Sequence, residues 1–203
     1  MKIGINILVL LVFSVFSIPF ANGQGYDIGD AASDFKLPAV SGGEVGMADY
    51  PEARGFIVVF TCNTCPYAKA YEGRILDLDK KYASRGYPVI AINPNNPEVS
   101  SGDSFELMKV RAAEKGFTFP YLLDETQQVA KAYGAVCTPD FFGYNGDLQL
   151  QYRGRLDASR KESAPADARR DLFEAMKQVA RTGQGPAEQI PSMGCSIKWL
   201  DEA

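Results

Sequence analysis

Apolar and polar positions fall along this chain in blocks of two periods, which together predict an ordered series of strands and helices. Gly29 to Val40 (GDAASDFKLPAV) reads as an extended lead-in with a short strand around Phe35-Lys36-Leu37. Ser41-Gly42-Gly43 signals a turn, and Glu44 to Met47 can return as a hairpin. Ile57 to Phe60 is an unbroken apolar run, the pattern of a central strand buried on both faces. Tyr67, Tyr71, Ile75, Leu78 and Tyr82 then recur at near-helical spacing, with Lys69, Glu72, Asp79 and Lys80 pointing elsewhere, and Arg85-Gly86 ends that helix. Tyr87 to Ile92 is the next buried strand, and Asn93 to Gly102 a loop rich in Asn, Pro and Ser. Asp103 can cap a helix running to Lys115, with Gly116 as its stop. Phe119 to Leu123 predicts a short strand, Asp124 to Tyr133 a helix ending at Gly134, and Ala135 to Tyr144 another strand. Asn145-Gly146 is a hairpin signal, Leu148 to Leu156 alternates as a strand, and Asp167 to Arg181 forms a last helix. A Gly/Pro-rich tail, about residues 183–203, closes the chain. Strands alternating with helices and finishing in a hairpin plus helix indicate an α/β fold with a mixed central sheet.

Composition changes this picture mainly at the amino end. Met1-Lys2 precedes an apolar run from Ile3 to Phe20, and Ala21-Asn22-Gly23 fits the small-residue cleavage rule. Residues 1–23 are therefore expected to be a signal peptide and residues 24–203 a single domain, exported to the periplasm or secreted. About 18 apolar residues could also just span a bilayer as an uncleaved anchor. Asn6, Ser14, Ser17 and Pro19 weaken that reading, so no stable membrane span is expected after cleavage. The 21 Lys and Arg against 25 Asp and Glu give a net charge of −4. A mildly acidic chain without a basic cluster argues against a nucleic-acid partner.

The chemistry concentrates in four cysteines, an even number that suits an oxidising compartment. Cys62-Asn63-Thr64-Cys65 joins the apolar strand to the amphipathic helix, with Pro66 in the first turn. That spacing predicts both sulfurs on the first turn, where unpaired N–H groups and the helix dipole favour a thiolate. Three uses are compatible with it: a redox-active dithiol, a structural disulfide, and half of a metal site. Histidine is absent, which removes c-type haem attachment, mixed Cys/His metal sites and imidazole-based catalysis in cis. On the redox reading, Cys62 lies at the exposed end as attacking thiolate and Cys65 resolves the mixed disulfide. Cys137 and Cys195 can form a structural disulfide tethering the tail, or a second redox pair relaying electrons to Cys62 and Cys65. Free thiols and a four-cysteine zinc site also remain open for them. Only one C-x-x-C knuckle is present, so no metal is assigned. Asp140 is expected on the surface, Tyr67 and Tyr71 in the core, and Trp199 packing the tail.

Phe60 to Tyr67 (FTCNTCPY), Thr138-Pro139 and the strand–hairpin–helix ending resemble the thioredoxin-like superfamily. Asp34 to Pro38 (DFKLP), Asp124 to Gln127 (DETQ), Val136 to Phe142 (VCTPDFF) and Gly194 to Trp199 (GCSIKW) are similar to its peroxiredoxin-like branch. That branch is the alkyl hydroperoxide reductase/thiol-specific antioxidant family. The resemblance covers about residues 27–200. It implies a thioredoxin-like fold with an N-terminal hairpin and an inserted strand–helix, and requires no cofactor. It also implies a cis Pro139 facing the C-x-x-C motif, with Thr138 offering its backbone to an extended substrate segment. A peroxidase of this family resembles P-x-x-x-T-x-x-C, whereas here Val58 and Cys62 hold the Pro and Thr positions. The leading expectation is an exported thiol–disulfide oxidoreductase that exchanges Cys62–Cys65 with protein thiols or disulfides and a separate redox partner. A thiol peroxidase (an antioxidant) using Cys65 or Cys62 comes second, and a redox-inert or metal-binding module third.

Overall fold

The computed structural model describes residues 25–160 and 167–200; the expected signal segment, 1–23, lies outside them. A five-stranded sheet forms the centre, built from β3 (Phe56–Phe60), β4 (Val89–Asn93), β5 (Tyr121–Leu123), β7 (Asp140–Tyr144) and β8 (Leu150–Gly154). Its order is β5-β4-β3-β7-β8. β3, β4 and β5 run parallel, while β7 pairs antiparallel with both β3 and β8. A hairpin of β1 (Leu37–Pro38) and β2 (Glu44–Val45) precedes it, and β6 (Cys137–Thr138) pairs with the tail strand β9 (Cys195–Ser196). The helices are α1 (Pro66–Tyr82), α2 (Phe105–Lys115), α3 (Gln128–Tyr133) and α4 (Asp171–Thr182). Among the described residues, no helix is long and apolar enough to cross a membrane.

The two-residue period of a strand explains how one apolar run serves two cores. Ile57 and Val59 project to one face of the sheet, against Tyr71, Ile75 and Leu78 of α1, Met108 of α2 and Met176 of α4. Val58 and Phe60 project to the other, against Tyr133 of α3, Phe35 and Met47 of the lead-in, and Ile197 of the tail. These four side chains are fully buried, and Phe56 at the start of β3 is buried too. At ~1.5–3 kcal/mol per buried aliphatic or aromatic side chain, this strand anchors both layers and fixes where its carboxyl end points.

Several boundaries differ from the sequence expectation for identifiable reasons. The expected strand from Ala135 to Tyr144 is split into β6 and β7, which belong to different sheets, because Pro139 has no N–H to continue a ladder. The helix from Asp124 starts only at Gln128: Gln127 takes a left-handed φ of 59°, and Asp124 is buried, accepting the Ala130 N–H at 2.8 Å. α1 gives way at Ala83–Arg85 to a 3-10 turn, and Gly86 then takes a φ of 84°. α2 is capped by Ser104, whose hydroxyl accepts the Leu107 N–H at 3.4 Å, and not by Asp103. The Asp103 side chain turns inward instead.

The tail lies along the domain. Ile190 O accepts the Arg155 N–H at 2.9 Å, and Ile197 is fully buried in the second core. Beyond it, the Lys198 N–H donates to Asn95 at 3.0 Å, and the Leu200 N–H donates to Gln127 at 2.8 Å. Trp199 packs on the same core with the Lys131 ammonium 5.7 Å from its ring centroid.

Candidate active site

β3 delivers the chain to the motif at the carboxyl end of the sheet, where open α/β sheets place their chemistry. The Thr61 N–H donates to Ile92 O at 2.8 Å, and the backbone then leaves the sheet. Pro66 opens α1 with Cys65 as its N-cap residue, so Cys62 precedes the helix where the first turn was expected to hold both sulfurs. The sulfurs still converge at the helix start, since the Cys65 N–H points to Cys62 Sγ at 3.4 Å. Both cysteines are only 3% exposed, which corrects the expectation of an exposed Cys62.

Thr138 bridges the pair. Its hydroxyl lies 3.1 Å from Cys62 Sγ, and its carbonyl oxygen lies 3.1 Å from Cys65 Sγ. The following bond, Thr138–Pro139, is cis, as the resemblance implied, but the Thr138 backbone, expected to be open to a substrate segment, pairs with Cys195 of the tail strand. The mutual hydrogen bond lowers one ionisation of this pair and raises the other. Cys65 is held down to about 4, first by Cys62 and against burial, with Cys195 and the Ala68 amide assisting. Cys62 is raised first by the hydrogen bond with Cys65, then by burial and by the Asp103 charge. Polar partners reach both sulfurs: Cys62 Sγ faces the Cys65 N–H and the Thr138 hydroxyl, while Cys65 Sγ meets the Ala68 amide and a Thr138 carbonyl that only an S–H can satisfy. We therefore assign the lowered ionisation to the pair as a unit, with one proton shared between the sulfurs.

Asp103 is the functional residue that sequence reasoning missed. It is fully buried beneath the motif and gathers four donors. Oδ1 accepts the Asn63 N–H at 2.6 Å; Oδ2 accepts from Thr64 Oγ1 at 2.7 Å, Ser100 Oγ at 2.7 Å and Asn95 Nδ2 at 2.9 Å. Asn63 is further fixed by donation to Gly102 O at 2.9 Å and by the Tyr121 hydroxyl, which donates to its Oδ1 at 3.1 Å. The two residues between the cysteines thus brace the loop from below. The signal that could have found this platform is the dense polar run 93–103 directly after a wholly apolar strand.

The structure separates Cys137 from Cys195. In the β6–β9 ladder Cys195 lies opposite Thr138 and packs with the Cys62, Cys65 and Ala68 cluster, as does Tyr67. Cys137 lies opposite Ser196, on the other face, with its Sγ 3.6 Å from Pro139 O. Successive residues on a strand face opposite ways, so this register places the Cys137 and Cys195 sulfurs on opposite faces of the ladder. Burial, then the Asp140 charge, pushes Cys137 up to about 12. Asp140, expected at the surface, is 2% exposed and accepts the Val136 N–H at 3.3 Å; burial raises its pKa. Tyr71 is core as expected, whereas Tyr67 touches the cysteines. Among the described residues, no three His, Cys, Asp or Glu side chains are arranged to hold a metal ion.

The chain is similar to known proteins in sequence and in fold. The chain is 27% identical to a thiol-disulfide oxidoreductase, ResA, of Oceanobacillus iheyensis, over 75% of this chain and 78% of that protein. A crystal structure of an uncharacterized conserved protein from Geobacillus kaustophilus superposes with a TM-score of 0.81. It is 39% identical and spans 89% of this chain and 96% of the other. The thioredoxin domain of a Bacteroides vulgatus thiol-disulfide oxidoreductase matches in fold, with a TM-score of 0.54 at 14% identity over 67% of this chain and 91% of that domain. The fold is thioredoxin-like, and because the model of the AhpC/TSA family matches residues 28–158, the chain belongs to that family.

Proposed function

We propose that this chain is a thiol–disulfide oxidoreductase exchanging a Cys62–Cys65 dithiol and disulfide with protein substrates outside the cytoplasm. The observation that carries the reading is the convergence of both sulfurs on Thr138, each 3.1 Å from one of its oxygens, at the start of α1. Proton transfer across the shared hydrogen bond frees the Cys62 thiolate, which attacks a substrate disulfide and forms a mixed disulfide while the first substrate thiolate leaves. Cys65 then attacks Cys62 Sγ, closing the Cys62–Cys65 disulfide and releasing the second substrate thiolate. Similarity to an oxidoreductase of that name supports the reaction class. The peroxidase reading is weakened by the residues in the peroxide-orienting positions. Val58 is buried inside β3 and Cys62 is engaged with Cys65, so neither supplies the proline or threonine of that pattern. Export rests on residues 1–23 of the sequence alone.

The test is turnover of a model protein disulfide by wild-type, Cys62→Ser and Cys65→Ser proteins. Cys62→Ser should abolish it, and Cys65→Ser should accumulate the mixed disulfide on Cys62. Full turnover by Cys62→Ser would sink the reading. Rapid peroxide consumption, lost on changing either cysteine, would favour the peroxidase instead.

A further inference from the structure

Two cysteines that are each 3% exposed offer an external disulfide little access until something covering them moves. Thr138 reaches both sulfurs from the fixed cis-proline turn, and the apolar side chains packed on them are Ala68 and Tyr67 of α1 and Cys195 of the tail. Of these apolar groups, only Cys195 lies off the helix, on a ladder two residues long. Its side chain and backbone both reach Cys65. Gly194 lies flat on the Thr138–Pro139 bond: a Cβ there would fall 2.2 Å from Thr138 O and 2.6 Å from Thr138 C. The chain is tied on either side of this segment, by Ile190 O to Arg155 and by the buried Ile197. Residues 191–196 therefore form a strap held between two anchors, and Met193 on it is exposed.

We infer that Cys195 is a third redox sulfur of this site, able to take over Cys65 in a Cys65–Cys195 disulfide while its strap covers the Cys62–Cys65 pair. The inference rests on the dithiol exchange proposed above, which supplies the oxidised pair. Starting from the Cys62–Cys65 disulfide, the Cys195 thiolate attacks Cys65 Sγ. The Cys65–Cys195 bond forms, the Cys62–Cys65 bond breaks, and the electron pair leaves on Cys62 Sγ, which takes up the proton that Cys195 lost. One disulfide is exchanged for another, so no oxidant or reductant is consumed. The disulfide now ends on a half-buried residue where before both ends were buried, and a dithiol protein can attack it there once the strap lifts. Cys137 takes no part, because it faces the other side of the ladder.

Full-length Cys62→Ser protein, which cannot close the first disulfide, is equilibrated with glutathione disulfide, alkylated and digested without reduction. A linked Cys65–Cys195 peptide with Cys137 alkylated is the expected product. Cys65 found only as its glutathione adduct, or Cys195 linked to Cys137, overturns the assignment. The capping role is read separately in the reduced protein, because Gly194→Ala must lift the strap. Alkylation of Cys62 and Cys65 should then speed up about tenfold, the change that ~1.4 kcal/mol in an opening equilibrium gives. An unchanged rate in a variant with native circular dichroism overturns the capping role. Wild-type turnover of a protein disulfide without any Cys65–Cys195 link overturns the third sulfur alone. Absence of wild-type turnover overturns the exchange reading itself.

Discussion

Replacing Asp103 with Asn tests whether the motif loop is held from below by a charge. The side chain is isosteric, but no orientation of an amide can reproduce two acceptor oxygens. With its oxygen toward Thr64, Ser100 and Asn95, the amide turns its NH2 on the Asn63 N–H, which donates at 2.6 Å in the wild type. Flipped, it keeps Asn63 and confronts Asn95 Nδ2; the two hydroxyls can rotate away, but the Asn95 amide is also held through its oxygen by Lys198. Either way one buried donor loses its partner, at ~1–3 kcal/mol, and the remaining bonds lose their charge assistance, for a total of ~2–4 kcal/mol. With a urea slope of ~2 kcal/mol per molar, the unfolding midpoint should fall by ~1–2 M. A second readout separates positioning from bulk stability. The Asp103 charge helps to raise Cys62, so its removal should shift the thiolate titration of the pair toward lower pH, followed by ultraviolet absorbance or alkylation rate. A variant with both the wild-type midpoint and the wild-type titration curve would refute this account of the platform.

Cys137 should resist alkylation in the folded protein: with its pKa pushed up to about 12, roughly one molecule in ten thousand carries the thiolate at pH 8, and mass mapping should find it labelled only after unfolding. Ile197→Ala should lower stability by ~2–5 kcal/mol by leaving a cavity in the second core, and should loosen the tail enough to raise alkylation of Cys62 and Cys65 in native conditions. Arg74→Met tests an ion pair away from the sulfurs. Burial works to raise the pKa of Asp157, but hydrogen bonds from Ser159 and Arg74 outweigh it and hold the carboxyl below its usual range. A depressed carboxylate adds stability above its unfolded value near ~3.9, lost as pH falls through the folded value. The Arg74→Met deficit, ~1–3 kcal/mol at pH 7, should therefore shrink on acidification toward pH 3, read as the difference between urea midpoints. A deficit that grows on acidification would reverse the sign and refute the pairing.

What could be read in advance, and what could not, follows from the range of the forces involved. α1 was legible because Tyr71, Ile75 and Leu78 repeat at helical spacing and bury the face they predict. β3 was legible because four consecutive apolar residues leave no polar face, and the structure buries all four. The C-x-x-C pair was legible for a local reason too, being tied to one turn of chain. Asp103 was misread because a carboxylate ahead of an amphipathic stretch has the same local signature whether it caps the helix or turns inward. Only the Asn63 and Asn95 donors decide, and they arrive from other parts of the chain. The placement of Cys137 and Cys195 was not legible for a related reason. Counting cysteines supplies candidates for pairing, but the register of a two-residue ladder decides which face each sulfur takes, and a shift of one residue would exchange Cys195 for Ser196 opposite Thr138. Gly194 helps to specify that register, since only a residue without a Cβ can lie against Thr138 O at this distance. The same glycine brings the third sulfur to the first two, so the register of the tail and the chemistry of the site depend on one close backbone approach.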